Sequence, residues 1–439
     1  MPAAITSRTE DLRARGVEIV AGSLTDLAGV TRAKYVPLQR LSAFEKSGMG
    51  VSPSWSVFCV DSGIAFTPEI GVVGDLRIRI DPDDLRLIGD GVAWAPASLY
   101  DQHGNPAPLC TRALLAGIEH SATDRGLSVL AGAELEFTLL SAGGDHASAE
   151  PWSPYGIRTS LDRSGFLVDL AVAAEKAGLD VEQLHTEYGH DQVEVSLAPA
   201  TPVAVADAVI LARIVIGRVA ARHDMKVSFS PVPFEGEAGN GAHLHLSLAD
   251  ADGPLLSGGP GPHGLRDAGQ SAIAGVLDGL PDLLGVYAGS TLSAARLKPG
   301  NWAGATKCWG LENREAAVRF IAATPGNPHG ANVELKIIDP SANPYLATAA
   351  LLGSALRGID KTLSLPAEVT DDPAATSSQP LPADHREVID MLESSAPAAD
   401  LLTPAVIDGL VAVRRHELTT YGDRPLAQTC QALRLAWSC

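Results

Sequence analysis

Positive charge is scarce in this chain. Lys and Arg number 33 against 52 Asp and Glu, a formal net charge of −19, which argues against a nucleic-acid partner because phosphate binding needs clustered cations. Cysteine is sparse as well. Cys59, Cys110, Cys308, Cys430 and Cys439 are odd in number, widely scattered and without a CxxC pair, which speaks against both a disulfide framework and a structural zinc site. No run reaches the roughly 18 uninterrupted apolar residues of a membrane span. The N-terminus shows no basic flank followed by an apolar stretch, so the expectation is a cytoplasmic protein without a membrane partner. Internal repeats and low-complexity linkers are also missing. What remains is an ordinary globular composition, 46% apolar over 439 residues, with room for two or three domains and a substantial core.

Residues 1–105 carry short alternating or apolar runs, such as 16–20 and 76–80, broken by Gly, Pro and Asp, and read as a small strand-rich domain. Residues 106–439 are expected to form a second, larger one. Within the first stand Asp61-Ser62-Gly63-Ile64 and Asp75; an Asp followed by Ser-Gly reads by itself as a turn. Apolar residues at helical spacing predict helices over 111–124, 162–176, 202–224, 270–280 and 344–360. Strands and helices do not alternate regularly, which implies an α+β fold.

The chemistry sits in the predicted strands. After the small-residue run Gly239-Asn240-Gly241, strict alternation places His243, His245 and Ser247 on one face and Leu244, Leu246 and Leu248 on the other. Glu134 and Glu136 are two apart amid apolar neighbours, Gln192, Glu194 and Ser196 alternate with Val193, Val195 and Leu197, and Glu334 and Lys336 lie opposite Val333 and Leu335. Glu187 adds a further carboxylate. Paired carboxylates on an inward face repel and lose hydration unless a cation neutralises them. Arg296, Arg314 and Arg319 are costly to bury unless they face anions, for which phosphate or a substrate carboxylate would serve. Oxygen-rich ligands with one imidazole suit Mg²⁺ or Mn²⁺, and arginines beside them suit a phosphoryl group in transfer.

From about residue 55 to 360 these segments resemble, in collinear order, the glutamine synthetase family. The matching motifs are Ala133-Glu134-Leu135-Glu136-Phe137, the stretch from Glu187 to Glu194, Gly241 through Ser247, Asn313-Arg314 with Arg319, and Glu334 followed by Asp339-Pro340-Ser341-Ala342-Asn343-Pro344-Tyr345-Leu346. The resemblance implies a small N-terminal β-grasp domain and a catalytic domain built on a curved antiparallel sheet flanked by helices. It implies one metal held by Glu136, Glu187 and Glu194 and a second by Glu134, His243 and Glu334, with His245 and Ser247 at the nucleotide. Arg296, with Gly239 and Lys336, would bind L-glutamate, Arg314 and Arg319 would stabilise the phosphate oxygens of ATP, and Asp61 would deprotonate the nitrogen nucleophile. Asp61 and Asp75 are implied to act across a subunit boundary in a homo-oligomeric ring, a dodecamer in the family.

Two departures bear on the nucleophile. The family's Asp-Gly-Ser-Ser run reads Asp61-Ser62-Gly63-Ile64, and the loop that carries a glutamate in ammonia-using members reads Arg296-Leu297-Lys298-Pro299-Gly300-Asn301-Trp302. Ammonium depends on polar partners, whereas a substituted amine gains from apolar surface at about 25 cal/mol per Å². The resemblance therefore points to the γ-glutamylamide branch, which ligates organic amines to glutamate, and Trp302 with Ile64 leans it toward a monoamine. Ammonia as nucleophile is the alternative within the chemistry. A structural or regulatory relative without catalysis is the alternative outside it. Lys336 stands where the family carries an arginine, and a Lys keeps the charge without the bidentate fork.

Overall fold

The computed structural model describes residues 2–327 and 329–438. A mixed sheet near the N-terminus is built from β1 (Ile19–Thr25), β2 (Thr31–Pro37), β3 (Met49–Val51), β4 (Leu76–Ile80), β5 (Arg86–Gly89) and β6 (Val92–Tyr100). Its strand order is β2-β1-β6-β4-β3 with β5 on β6; β1 runs parallel to β6 and the other pairs are antiparallel. Val20, Phe44, Ile78 and Leu99 fill a small core against it.

The second sheet contains β7 (Ser128–Ser141), β8 (Val181–Thr186), β9 (Gln192–Ala200), β10 (Met225–Ser228), β11 (Leu244–Asp250), β12 (Gly253–Pro254), β13 (Thr306–Leu311), β14 (Ala316–Ile321) and β15 (Asn332–Leu335). Its order is β13-β14-β15-β11-β7-β9-β8, with β10 on β7 and β12 on β11. Pairing is antiparallel apart from β13 with β14. With helices packed around it, this is an α+β architecture.

The period of two in the sequence decides which face is which. Leu135, Phe137 and Leu139 of β7, Val193 and Val195 of β9, and Leu244 and Leu246 of β11 all turn into the main core, each fully buried side chain contributing about 1.5–3 kcal/mol. The helices Thr111–Asp124 and Pro202–Arg222 cover that face at β7. The helix Asp267–Tyr287 runs through Pro281 to a point seven residues past the expected end at 280. Leu283, Leu284, Val286 and Tyr287 beyond the proline are buried, and their packing outweighs the hydrogen bond the proline cannot make. Where one helix was expected over 162–176, the chain forms Ile157–Asp162 and then Ser164–Ala177.

The helix Pro344–Asp360 shows what the Asp339–Pro344 segment does mechanically. Asn343 caps it, accepting from the backbone N–H groups of Tyr345 and Leu346, while its side-chain NH₂ donates to the carbonyls of Thr25 and Asp26. Asp339 accepts from the backbone and hydroxyl of Ser341 and from Ser293. This polar knot ties the end of the large sheet's last strand to the N-terminal sheet. Helices His385–Ser394, Ala396–Leu402, Pro404–Tyr421 and Leu426–Leu433 close the far end of the chain, and no single helix among the described residues is long and apolar enough to cross a membrane.

Candidate active site

Register across the large sheet sets charged residues in rows on the face away from the core. Arg319 stands opposite Glu334, Glu334 opposite His245, and His245 opposite Gly132. A second row runs from His185 through Glu194 to Glu136, and Glu134 lies opposite Ser196. Cross-strand neighbours stand ~5 Å apart, so like charges here are forced together.

These rows line a cavity of about 1170 Å³ that contains Glu134, Glu136, Glu187, Glu194, His243 and Glu334, together with Gly239, Arg296, Trp302, Arg314, Arg319 and Lys336. A second cavity of about 580 Å³ shares Glu134 and Arg319 with it and adds His245, Ser247 and Asn332. The structure thus brings together every predicted site residue of the large sheet and its loops. Asp61, Ile64 and Asp75 are not among the residues lining either cavity of their own chain.

Two groups of potential cation ligands occupy the larger cavity. In the first, Nδ1 of His243 lies 3.2 Å from Glu134 and 3.3 Å from Glu334. In the second, Nε2 of His185 lies 3.5 Å from Glu187 and 3.8 Å from Glu194. His185, rather than Glu136, completes this second tight group. One oxygen of Glu136 instead accepts from the N–H of Gly241 at 2.7 Å and from Gln192 at 2.9 Å. The sequence carried a signal for His185, which alternates with Thr186 to share a face with Glu187. Tyr155, whose hydroxyl donates to Glu187 at 2.7 Å, had none.

Electrostatics separate the groups. Burial raises the carboxyl of Glu334, but Lys336, whose ammonium is 3.1 Å away, and the two histidines bring it down to about 2. Burial likewise opposes ionisation of Glu134, and its bonds to His243 and His245 hold it well below the usual range. His245 would be lowered by its own burial; Glu134 and Glu334 bring it to about 9. Glu194 meets the opposite surroundings. Burial and the charges of Glu134, Glu136, Glu187 and Glu334 push it up to about 9. A buried carboxyl disfavoured by four others is the arrangement a divalent cation relieves, and the donors, carboxylate oxygens with an imidazole, fit a hard cation.

Arginine, histidine and hydroxyl groups surround these carboxylates. Arg296, 5% exposed, donates to the carbonyls of Ile337 and Lys336 and lies 3.2 Å from Nε2 of His243; burial lowers it from its ordinary value. Arg319 pairs with Glu312 at 2.6 Å and with Glu334 at 3.2 Å. Ser247 donates to the carbonyl of Ala331, and Nδ1 of His245 is 2.9 Å from Asn332. At the rim, Trp302 is 57% exposed and has φ of 53°, a left-handed conformation unusual for a bulky residue. Glu315 holds it there, accepting from the N–H groups of Trp302 at 2.6 Å and Gly300 at 3.3 Å. Tyr155, Tyr188 and Glu237 line the same cavity.

Comparison with known proteins agrees with this geometry. Residues 108–432 match the family described as glutamine synthetase, catalytic domain. A gamma-glutamylpolyamine synthetase, GlnA3 of Streptomyces coelicolor, is 37% identical over 428 residues, covering 94% of this chain and 92% of that protein. A gamma-glutamylethanolamide synthetase of the same organism, GlnA4, is 28% identical over 79% of this chain and 76% of its own length. A crystal structure described as a novel glutamine synthase homolog superposes with a TM-score of 0.88 at 32% identity, covering 96% of this chain and 99% of the other.

Proposed function

The chain belongs to the glutamine synthetase family, and from that premise we propose that this ATP-dependent ligase joins the γ-carboxylate of L-glutamate to an organic amine, releasing a γ-glutamylamide, ADP and phosphate. The observation that carries the reading is one cavity in which acidic and arginine-bearing rows built for phosphoryl transfer meet a rim of aromatic rings at Trp302, Tyr155 and Tyr188.

Arg296, with Gly239 and Lys336 beside it, binds the substrate glutamate. Arg314 and Arg319 face the phosphate oxygens, and His245 and Ser247 meet the nucleotide from the adjoining cavity. A γ-carboxylate oxygen attacks the γ-phosphorus of ATP and ADP departs. Asp61 takes a proton from the ammonium, the neutral nitrogen attacks the acyl carbon, and phosphate leaves with the C–O electron pair and takes up the second N–H proton. Glu134, His243 and Glu334, and Glu136, Glu187 and Glu194 with His185 alongside, would hold divalent cations, Mg²⁺ or Mn²⁺, whose charge would screen the two reacting anions. Asp61, Ile64 and Asp75 lie outside their own chain's cavity, and the family resemblance assigns them to the cavity of a neighbouring copy in a ring with sites between subunits. The reaction draws on cytoplasmic ATP and glutamate.

The leaning toward a monoamine rested on Trp302 and Ile64. The cavity that holds Trp302 also holds Glu237 and two tyrosines, which offer a second ammonium both charge and ring faces. Diamines and polyamines therefore belong to the substrate class. The test is ADP release with L-glutamate and Mg²⁺ against ammonia, alkylamines, aromatic amines, ethanolamine and polyamines. Substituted amines should exceed ammonia in kcat/KM. Ammonia at the top would make this a glutamine synthetase, and no turnover with any amine would favour a non-catalytic relative. A Trp302→Glu variant should gain ammonia use.

A further inference from the structure

The carboxylate proposed as base has a partner from the far end of the chain. Nε2 of His416, on the helix Pro404–Tyr421, lies 3.0 Å from Oδ2 and 3.1 Å from Oδ1 of Asp61. The N–H of Gly63 donates to Oδ1 at 2.9 Å. An ionised carboxylate only accepts, so Nε2 of His416 donates.

The local sequence makes room for that ring. A Cβ at Gly63 would lie 2.9 Å from both Cε1 and Nε2 of His416 and 3.0 Å from Oδ1 of Asp61, so a side chain there would displace the imidazole or the carboxylate. The preceding residue, Ser62, has φ of 67°, a conformation that glycine adopts freely and serine does not. Against the Asp-Gly-Ser-Ser run that the family resemblance brings, this chain has shifted its glycine by one position. It tolerates a left-handed Ser62, and the space above Gly63 is where His416 sits.

We propose that His416 is a positioning residue for Asp61, its Nε2–H fixing the orientation of the carboxylate that receives the amine's proton. This inference rests on the reading of Asp61 as base. Asp61 takes the ammonium's proton on its outward lone pair before attack; the freed nitrogen then bonds to the acyl carbon, phosphate leaves with the C–O electron pair and takes up the second N–H proton, and His416 keeps its own proton throughout. A base contributes only while held within hydrogen-bond reach of the proton it takes.

The experiment uses the full-length enzyme with ATP, L-glutamate and Mg²⁺, and four nucleophiles tested separately: ethylamine, ethanolamine, putrescine and hydroxylamine. The first three are protonated at neutral pH and need a base. Hydroxylamine is uncharged there and does not. Asp61→Asn should lower kcat for the protonated amines by about 100-fold or more. His416→Ala should lower it about tenfold with KM for ATP and glutamate unchanged, and His416→Gln, whose amide N–H can reach the carboxylate, should recover most of the loss. Hydroxamate formation should stay near the wild-type rate in both His416 variants. If Asp61→Asn is impaired but His416→Ala is not, or if His416→Ala loses amine and hydroxylamine turnover equally, the positioning role is wrong while the base stands. Full amine turnover in Asp61→Asn would overturn the base itself.

Discussion

The two carboxylate groups in the large cavity share one sheet face, and they solve the problem of crowded negative charge differently. Glu134, His243 and Glu334 come with their own cations. Lys336, with a side chain 5% exposed, sits 3.1 Å from Glu334, Arg319 lies 3.2 Å from the same carboxylate, and Nε2 of His245 is 3.3 Å from Glu134. His185, Glu187 and Glu194 have one imidazole at 3.5 Å or more and a phenol. The first group is balanced by the chain itself, whereas the second, in the function proposed, would take its balance from an ion. Removal of divalent cations should therefore loosen the second group before the first.

Breaking the balanced group should cost most. Glu334→Ala leaves the buried Lys336 ammonium without its carboxylate, while Arg319 keeps Glu312, and loss of one member of a buried pair costs about 3–5 kcal/mol. Urea unfolding in EDTA should show a drop of that order. A loss below about 1 kcal/mol would mean that Lys336 finds another partner and that the first group is not self-contained.

The ion-dependent group should respond in the opposite sense. In cation-free protein, Glu194 holds its proton up to about pH 9, whereas the unfolded chain releases it near 4.5. Between those values the unfolded state binds fewer protons, so rising pH favours unfolding. Glu194→Gln removes this term. At pH 8 in EDTA the variant should be more stable than wild type by about 1–2 kcal/mol, and the difference should shrink as pH falls toward 5. Saturating Mn²⁺ should raise the Tm of wild type more than that of the variant. Parallel pH profiles for the two proteins would show that Glu194 carries no excess repulsion.

How far these contrasts could be read from the sequence differs between the faces of the sheet. Alternation in 134–137, 192–197 and 244–248 shows directly which side chains turn away from the core, and the helices expected at 111–124 and 344–360 have those bounds. Alternation gives the face but not the neighbour. The register that puts Glu194 against Glu136 is set by strand pairing across more than 50 residues, and the one that puts it against His185 by the pairing of β8 with β9. Tyr155 lies in an irregular loop with φ of 55°, and nothing periodic points to it. His416 meets Asp61 across 355 residues, through helices beyond residue 360 that had no counterpart among the expected elements. The Pro281 helix fails in the other direction, because a local breaker is overridden by buried contacts that only the tertiary structure supplies.

Tyr155 offers the finest test of the comparison, because it acts on the second group alone. Its hydroxyl donates to Glu187 at 2.7 Å, and with His185 and the N–H of Tyr188 it offsets the burial of that carboxyl and lowers it below its ordinary value. The ring is 53% exposed, so Tyr155→Phe removes almost no packing, and folding stability in EDTA should change by no more than about 0.5 kcal/mol. Losing a hydrogen bond to a carboxylate that receives a cation should weaken Mn²⁺ binding by about tenfold. With the carboxyl less depressed, protons compete better for it, so the defect should be larger at pH 6 than at pH 8. The same substitution should leave the first group's cation affinity unchanged. Isothermal titration at both pH values separates the outcomes: equal weakening of two sites would mean the groups are coupled through Glu136, and no weakening at either would make the phenol a rim residue that serves the amine alone.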